Sequence, residues 1–415
     1  MRDFLPTQKR QRDALLGVIS DRYQRHGFEP IETPALEDHA TLHSGLGGDN
    51  EKLSFQVLRR GLALEDLGAV GDLAELSDLG LRFDLTVPLA RYVASHRSEL
   101  PEVFRAVHIA PVWRAERPQK GRYRQFVQCD IDIVGEASTL AEREVLLATA
   151  DALGEIGLAD YRFRINDRTL LGGVLDAAGV PAESQLSVLI TLDKLDKVGV
   201  SGVLAELSER HGEQIDRGVI QRMLERAMEP IAWDAAEIAA LMSVSEEAAS
   251  QVVSWAGDVA RLIGEDKVAF DPTLVRGMGY YTGSIVELHH PDLGISLGGG
   301  GRYDGMVGRF LGQDVPAFGF SLGFERLMEV LDVPAGSTGP DSALVFGEDT
   351  PRVALLERKR ELIAAGHRVT LVRSKKNKKS LFASLEAQGV SRVVELEGTI
   401  PELDELDWRE LSAGS

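Results

Sequence analysis

Eight lysines and arginines (91, 97, 105, 114, 117, 120, 122 and 124) fall within residues 91–124 against three acids (99, 102 and 116), in a 415-residue chain whose formal net charge is −19. Five of them, Arg114, Arg117, Lys120, Arg122 and Arg124, crowd one predicted hairpin. Like charges at that density repel one another unless something anionic sits among them, and arginine's planar fork suits phosphate and carboxylate oxygens. A solvated charged loop is the plainer alternative. Two further arginines stand in distinctive patterns. Arg276-Gly-Met-Gly-Tyr-Tyr281 joins a cation to two backbone-permissive glycines and two phenols, and Arg326 closes Gly319-Phe-Ser-Leu-Gly-Phe-Glu-Arg326. We read Arg114, Arg276 and Arg326 as lining one anion site. The acidity of the whole chain argues against a protein that coats nucleic acid non-specifically.

A strand over residues 124–134 would give that site a floor. Arg124, Phe126, Gln128, Asp130 and Asp132 alternate with Gln125, Val127, Cys129, Ile131 and Ile133. The second set belongs in a core, and the first on an exposed or ligand-facing surface. Gly298–Gly301 follows a strand-like segment and marks either a close approach to a ligand or a flexible turn. Neither phosphate-loop pattern fits: G-x-x-x-x-G-K-[ST] is absent, and G-x-G-x-x-G fails at Tyr303 or Asp304. Gly294–Gly298 and Gly319–Gly323 both match G-x-S-x-G, which keeps a serine hydrolase built on Ser321 and His367 as a rival. No His/Asp/Glu cluster has metal-ligand spacing, so no protein-built metal site is expected.

The elements that must position these residues fall into several blocks. Residues 8–26 have a helical period, and an extended piece with Pro30 and Pro34 follows. Residues 103–135 read as β and 138–157 as a helix. The stretch 168–268 is helical almost throughout and reads as an insertion. Strand character returns near 270, and residues 322–331 read as a helix. A Pro/Gly-rich linker at 333–340 precedes alternating strands and helices that predict a small α/β domain. Cys129 is the only cysteine, which excludes an intrachain disulfide. No run of ~18 apolar residues is present and Met1-Arg-Asp-Phe-Leu-Pro6 lacks the apolar stretch of a signal peptide, so the expectation is a soluble, cytoplasmic protein that does not engage a membrane.

Over nearly its full length the chain resembles the histidine–tRNA ligase family of class II aminoacyl-tRNA synthetases. The resemblance rests on Arg2-Asp-Phe-Leu-Pro6, on Gly27 to Glu37 as motif 1, and on Leu81-Arg-Phe-Asp-Leu-Thr-Val-Pro-Leu-Ala-Arg91 as a family signature. Pro111 to Phe126 is similar to motif 2, Leu274 to Gly283 to a histidine-specific motif, and Gly319 to Arg326 to motif 3. It implies an α+β fold with an antiparallel catalytic sheet flanked by helices, as residues 1–167 and 269–332. A helical insertion would span 168–268 and a small anticodon-binding-like α/β domain 341–415. It further implies a homodimer, ATP with Mg2+, and tRNA(His) as partner. The reaction would join histidine to ATP as histidyl-adenylate and pass it to tRNA. On matching positions, Arg114 with Glu116 would hold ATP at the α-phosphate and Arg326 the γ-phosphate end. Arg276 would stabilise the charge that develops on the α-phosphate. Asp84, Thr86 and Gln128 would take the histidine ammonium, while Asp132, with Tyr280 and Tyr281, would read the imidazole. A neutral imidazole offers one donor and one acceptor, which a carboxylate and a phenol satisfy.

Two departures from the family pattern stand out. Gly279 occupies a position usually held by aspartate, and residues 341–415 are short for an anticodon domain. Arg373-Ser-Lys-Lys-Asn-Lys-Lys379 reads either as a phosphate track or as a solvated helix start. The runner-up is a relative without ligase activity, the regulatory subunit of ATP phosphoribosyltransferase in histidine biosynthesis. A paralogue that activates histidine without charging tRNA is a third reading.

Overall fold

A computed structural model describes residues 1–43, 53–63, 70–117, 123–212, 214–276, 280–291, 293–331 and 340–411. These group into two compact bodies: residues 18–331, and residues 2–17 together with the chain from 332 onward. The lysine and arginine at 120 and 122, residues 277–279 with the unusual Gly279, and most of the expected linker lie outside the described residues.

The first eleven strands are, in chain order, β1 (Glu29–Pro30), β2 (Leu36–Asp38), β3 (Phe55–Leu58), β4 (Ser77–Leu81), β5 (Phe104–Trp113) and β6 (Gln125–Val134). They continue with β7 (Arg162–Asp167), β8 (Val268–Phe270), β9 (Ser284–His290), β10 (Ile295–Arg302) and β11 (Ala317–Gly323). Eight form one sheet in the order β1-β5-β6-β11-β10-β9-β7-β8. It is antiparallel from β5 through to β7, with parallel pairs at both edges. A smaller sheet, β2-β4-β3, was not foreseen; its strands are too short to show a period of two. Helices Leu140–Glu155 and Glu246–Ile263 pack against each other, the first also against β6 and β11. Their alternating large and small apolar faces (Val145, Leu146, Leu153; Val252, Trp255, Val259) are fully buried.

Helix Thr86–Ser95 closes the other side, burying Val87, Leu89, Ala90 and Val93 in a cluster with Phe83, Phe104, Tyr303 and Met306. Charged residues of the motif regions fasten it. Arg91 makes a two-pronged pair with the buried Glu37, at 2.8 and 2.6 Å. Arg82, 4% exposed, donates to the carbonyls of Thr33, Pro34 and Pro111, tying the extended proline segment to the end of β5. Between β7 and β8 the described residues form six helices, Arg168–Ala177, Ala182–Leu192, Leu195–His211, Arg217–Arg226, Ala235–Met242 and Glu246–Ile263, as the periodicity predicts. The third is interrupted at Gly199, whose φ of 69° suits glycine.

In the C-terminal body, β12 (Ser342–Phe346) lies between β13 (Val369–Arg373) and β14 (Arg392–Leu396), both parallel to it, and β15 (Arg409–Glu410) runs antiparallel at the edge. Helices Arg352–Ala364 and Lys378–Ala387 make the crossovers. Within the basic cluster, Arg373 pairs with Glu348 and Lys378 with Glu395, while Asn377 caps the helix by accepting from the Ser380 amide.

Candidate active site

Cα partners in neighbouring strands present their side chains to the same face of a sheet, and one cross-strand row carries most of the polar chemistry. It runs His108, Asp130, Ser321, Gly299, Glu287, Arg164 across β5, β6, β11, β10, β9 and β7. The next row is Ala106, Asp132, Gly319, Gly301, Ile285, Asn166. The polar face of the 124–134 segment is therefore a buried floor instead of a wet one, and the strand starts at Gln125. Gln128, Asp130 and Asp132 keep 8%, 4% and 4% of their surface.

At the β6 end the floor is rich in carboxyls. Tyr303 Oη donates to Asp132 Oδ1 at 2.5 Å. Burial, reinforced by Asp84, lifts the Asp132 carboxyl to about 7 against that hydrogen bond. Burial likewise raises Asp84 to about 6, opposed by the Val87 amide and by Arg114. Asp130 is pushed well above the usual carboxylate range by burial and by Asp132, with a Ser321 hydrogen bond opposing. Gln128 Nε2 donates to Ser321 Oγ at 2.7 Å, whereas Gln128 Oε1 is buried with no hydrogen-bond partner among the described residues. A buried acceptor left open costs on the order of 1–3 kcal/mol, which a donor brought to it would recover. Thr86 opens its helix partly buried, two residues beyond Asp84. The Tyr280 and Tyr281 rings meet edge-on with centroids 4.4 Å apart. Burial raises the Tyr280 phenol to about 12, with Asp84 adding to the rise.

At the β10 end the site is cationic. Arg276 Nη2 donates to Ser296 Oγ at 2.9 Å and Arg326 Nη1 to the Ser296 carbonyl at 2.6 Å. Burial, and then the neighbouring Arg326, press the Arg276 guanidinium downward from its usual pKa. Two guanidiniums thus converge on one serine, and Arg276 is also paired with Glu287. Arg114 Nε donates to the Phe83 carbonyl at 2.9 Å and its guanidinium lies 5.0 Å over the Phe126 ring, next to Asp84 and Tyr280. Glu116 is partly buried in the hairpin, its carbonyl accepting from Arg124 at 3.3 Å.

The glycine run belongs to β10 and is no turn. A Cβ on Gly299 would stand 3.1 Å from Arg276 Nη1, and one on Gly301 3.0 Å from the Tyr281 ring, so those side chains lie flat on the strand. A Cβ on Gly319 would overlap the Asp132 carboxylate. Sequence reasoning gave Tyr303 and Glu287 no role in the site and read Ser296 and Ser321 only as elbow serines. Both serines of the G-x-S-x-G matches lie within strands and serve as hydrogen-bond relays. A nucleophile elbow needs a sharp strand-to-helix turn at the serine, so the hydrolase reading falls. Among the described residues no group of three His, Cys, Asp or Glu could hold a metal ion, and no helix is long and apolar enough to cross a membrane.

A family model described as histidyl-tRNA synthetase matches residues 1–327. The histidine–tRNA ligase of Leifsonia xyli subsp. xyli is 52% identical over 399 residues, covering 94% of this chain and 92% of the relative. A crystal structure of histidyl-tRNA synthetase from Nostoc sp. PCC 7120 superposes with a TM-score of 0.78 at 27% identity, over 100% of this chain and 94% of that one. A structure from Bacillus halodurans C, described as an ATP phosphoribosyltransferase regulatory subunit/histidyl-tRNA synthetase, shares the fold with a TM-score of 0.78 at 22% identity, over 96% and 97% of the two chains.

Proposed function

The chain belongs to the histidyl-tRNA synthetase family of aminoacyl-tRNA ligases, and from that premise we propose that its site activates histidine with ATP and transfers it to tRNA(His). The carrying observation is a single sheet floor with buried carboxyls and an unsatisfied Gln128 acceptor at one end and two arginines on one serine at the other. Histidine brings an ammonium, an imidazole and a carboxylate, and ATP brings phosphates. The ammonium would sit among Asp84, Thr86 and Gln128, donating to the open Oε1. Asp132, fixed by Tyr303, would accept from the imidazole N–H, with Tyr280 and Tyr281 closing the pocket. The histidine carboxylate would then point along the floor towards Arg276.

Arg114 with Glu116 would hold ATP at its α-phosphate and Arg326 the γ-phosphate end. Arg276 would stabilise the charge on the α-phosphate as the carboxylate attacks and pyrophosphate departs. Such a displacement needs positioning and cations aimed at equatorial oxygens more than a covalent nucleophile. Mg2+ would arrive with ATP, its ligands drawn mostly from phosphate and water. We further propose a cytoplasmic homodimer, with residues 341–415 meeting the tRNA. The regulatory-subunit reading is the weaker, since the motif arginines remain and the strongest likeness given above is to a ligase at 52% identity.

The test is histidine-dependent ATP–pyrophosphate exchange by the purified chain, followed by charging of tRNA(His). Exchange specific for histidine is expected. Histidine binding without exchange would sink the proposal in favour of a regulatory role.

A further inference from the structure

We propose that Glu287 is the positioning residue for Arg276: its carboxylate seats that guanidinium on the sheet floor in the orientation adenylation needs. The inference rests on the role proposed above for Arg276 and extends it to a residue in no recognised motif.

Glu287 projects from the middle of β9 into the polar row, opposite Gly299 on one side and Arg164 on the other. Its side chain is 7% exposed, while that of Arg276 keeps 37%. The acid is thus underneath and the arginine faces the ligand space. Each carboxylate oxygen has its own arginine: Oε1 accepts from Arg164 Nη1 at 3.1 Å, and Oε2 pairs with Arg276 Nη2. Arg164 is held in turn by Asp271, the residue that organises the turn leading to Arg276 by accepting from the Thr273 amide and hydroxyl at 2.9 and 2.7 Å. Ser296 Oγ supplies the second anchor on Arg276, and Gly299 leaves room for the guanidinium to lie across the strand.

A long side chain carrying a guanidinium has many rotamers, and fixing one costs up to about 2 kcal/mol that the site must supply in advance. With Arg326 on the same serine, an unbraced Arg276 would also swing away from its like-charged neighbour. A buried acid beneath it prevents both. A carboxylate that served only the core would need Arg164 alone; the Arg276 pair places Glu287 in the reaction.

The experiment is a double-mutant cycle on the full-length protein with Glu287→Gln and Arg276→Ala. Single-turnover formation of histidyl-adenylate is followed with enzyme in excess, and histidine and ATP affinities are measured by calorimetry. Glu287→Gln is expected to slow adenylation about ten- to a hundredfold, below the roughly hundred- to thousandfold cost of removing a donor that itself touches the transition state, with both affinities changed less than about threefold. Combined with Arg276→Ala it should add almost nothing, because it acts through that arginine. A near-normal rate in Glu287→Gln, or losses that multiply in the double variant, overturns the proposal. If Glu287→Gln does not fold, the same cycle is run with Glu287→Asp, which keeps the charge and withdraws it by one methylene. Absence of exchange in the unmutated protein is a separate outcome that refutes the functional reading itself.

Discussion

Replacing Asp132 by asparagine should make the protein more stable above neutral pH while crippling it. The carboxyl is buried and its pKa stands at about 7 against an ordinary 3.8. At about 1.36 kcal/mol per pH unit, the difference corresponds to about 4 kcal/mol for ionising the folded carboxyl, an upper figure because neighbouring groups relax. The sign is that of a raised carboxyl: the unfolded chain releases the proton near 4 and the folded one near 7. Between those values the folded state binds more protons, so wild-type stability falls as pH rises and levels off above about 7. Asparagine is nearly isosteric, cannot ionise, and still accepts from Tyr303. Thermal melting of both proteins at about pH 5, 7 and 8.5 should show Asp132→Asn ahead by a margin that grows with pH and then stops growing. Pyrophosphate exchange should fall by about two orders of magnitude or more, because an anionic partner for the substrate imidazole is gone. A margin that does not change with pH, or a variant melting below wild type at about pH 8.5, would refute the burial argument.

Other expectations follow from the same geometry. Gly319→Ala places a methyl on the Asp132 carboxylate; overpacking of this kind costs about 1–3 kcal/mol, and KM for histidine should rise with little change in KM for ATP. Tyr303→Phe removes the hydrogen bond that opposes the rise in the Asp132 pKa, so the pH midpoint for histidine activation should move to higher pH; an unchanged midpoint would detach Tyr303 from the pocket. Arg276→Ala should nearly abolish exchange while circular dichroism and melting stay close to wild type. Arg82→Met leaves three carbonyls without their donor in a buried site, and a loss of about 3–5 kcal/mol is expected in denaturant unfolding.

Much of this was legible before any coordinates. The alternation over residues 124–134 gave the two faces of β6, and periodicity found the helices between β7 and β8 and the helices and three parallel strands of the C-terminal body, though not the two-residue edge strand β15. What escaped has a common cause. Tyr303 meets Asp132 across 171 positions of sequence, and Glu287 meets Arg164 across 123. Those pairings depend on strand order and register, which no local pattern encodes. Local patterns also misled: G-x-S-x-G flagged Ser296 and Ser321 as elbow serines although each sits in a continuing strand. The small sheet of β2, β3 and β4 escaped because its strands have three to five residues.

The order of the row also bears on why the site has its charges where it does. From β5 to β7 it passes from a buried histidine and a carboxyl through a serine and a glycine to an acid braced by two arginines. On the proposed assignment, histidine laid along that floor would present its cationic and imidazole groups to the acidic end and its carboxylate to the basic end, so orientation would come from the gradient before any single contact is made. The middle of the row is where the two reactants would meet, and there the sheet offers only the small side chain of Ser321 and the bare backbone of Gly299. Larger residues at those two places would hold the attacking oxygen off the phosphorus by a distance comparable to the misplacement of about 1 Å that costs a hundredfold in rate. On the proposed assignment, the glycine run is therefore a requirement of the reaction as much as of the sheet. Lengthening Ser321 to threonine should slow adenylation in single-turnover experiments more than it weakens either substrate, and equal losses in rate and affinity would place the reactants elsewhere on the floor.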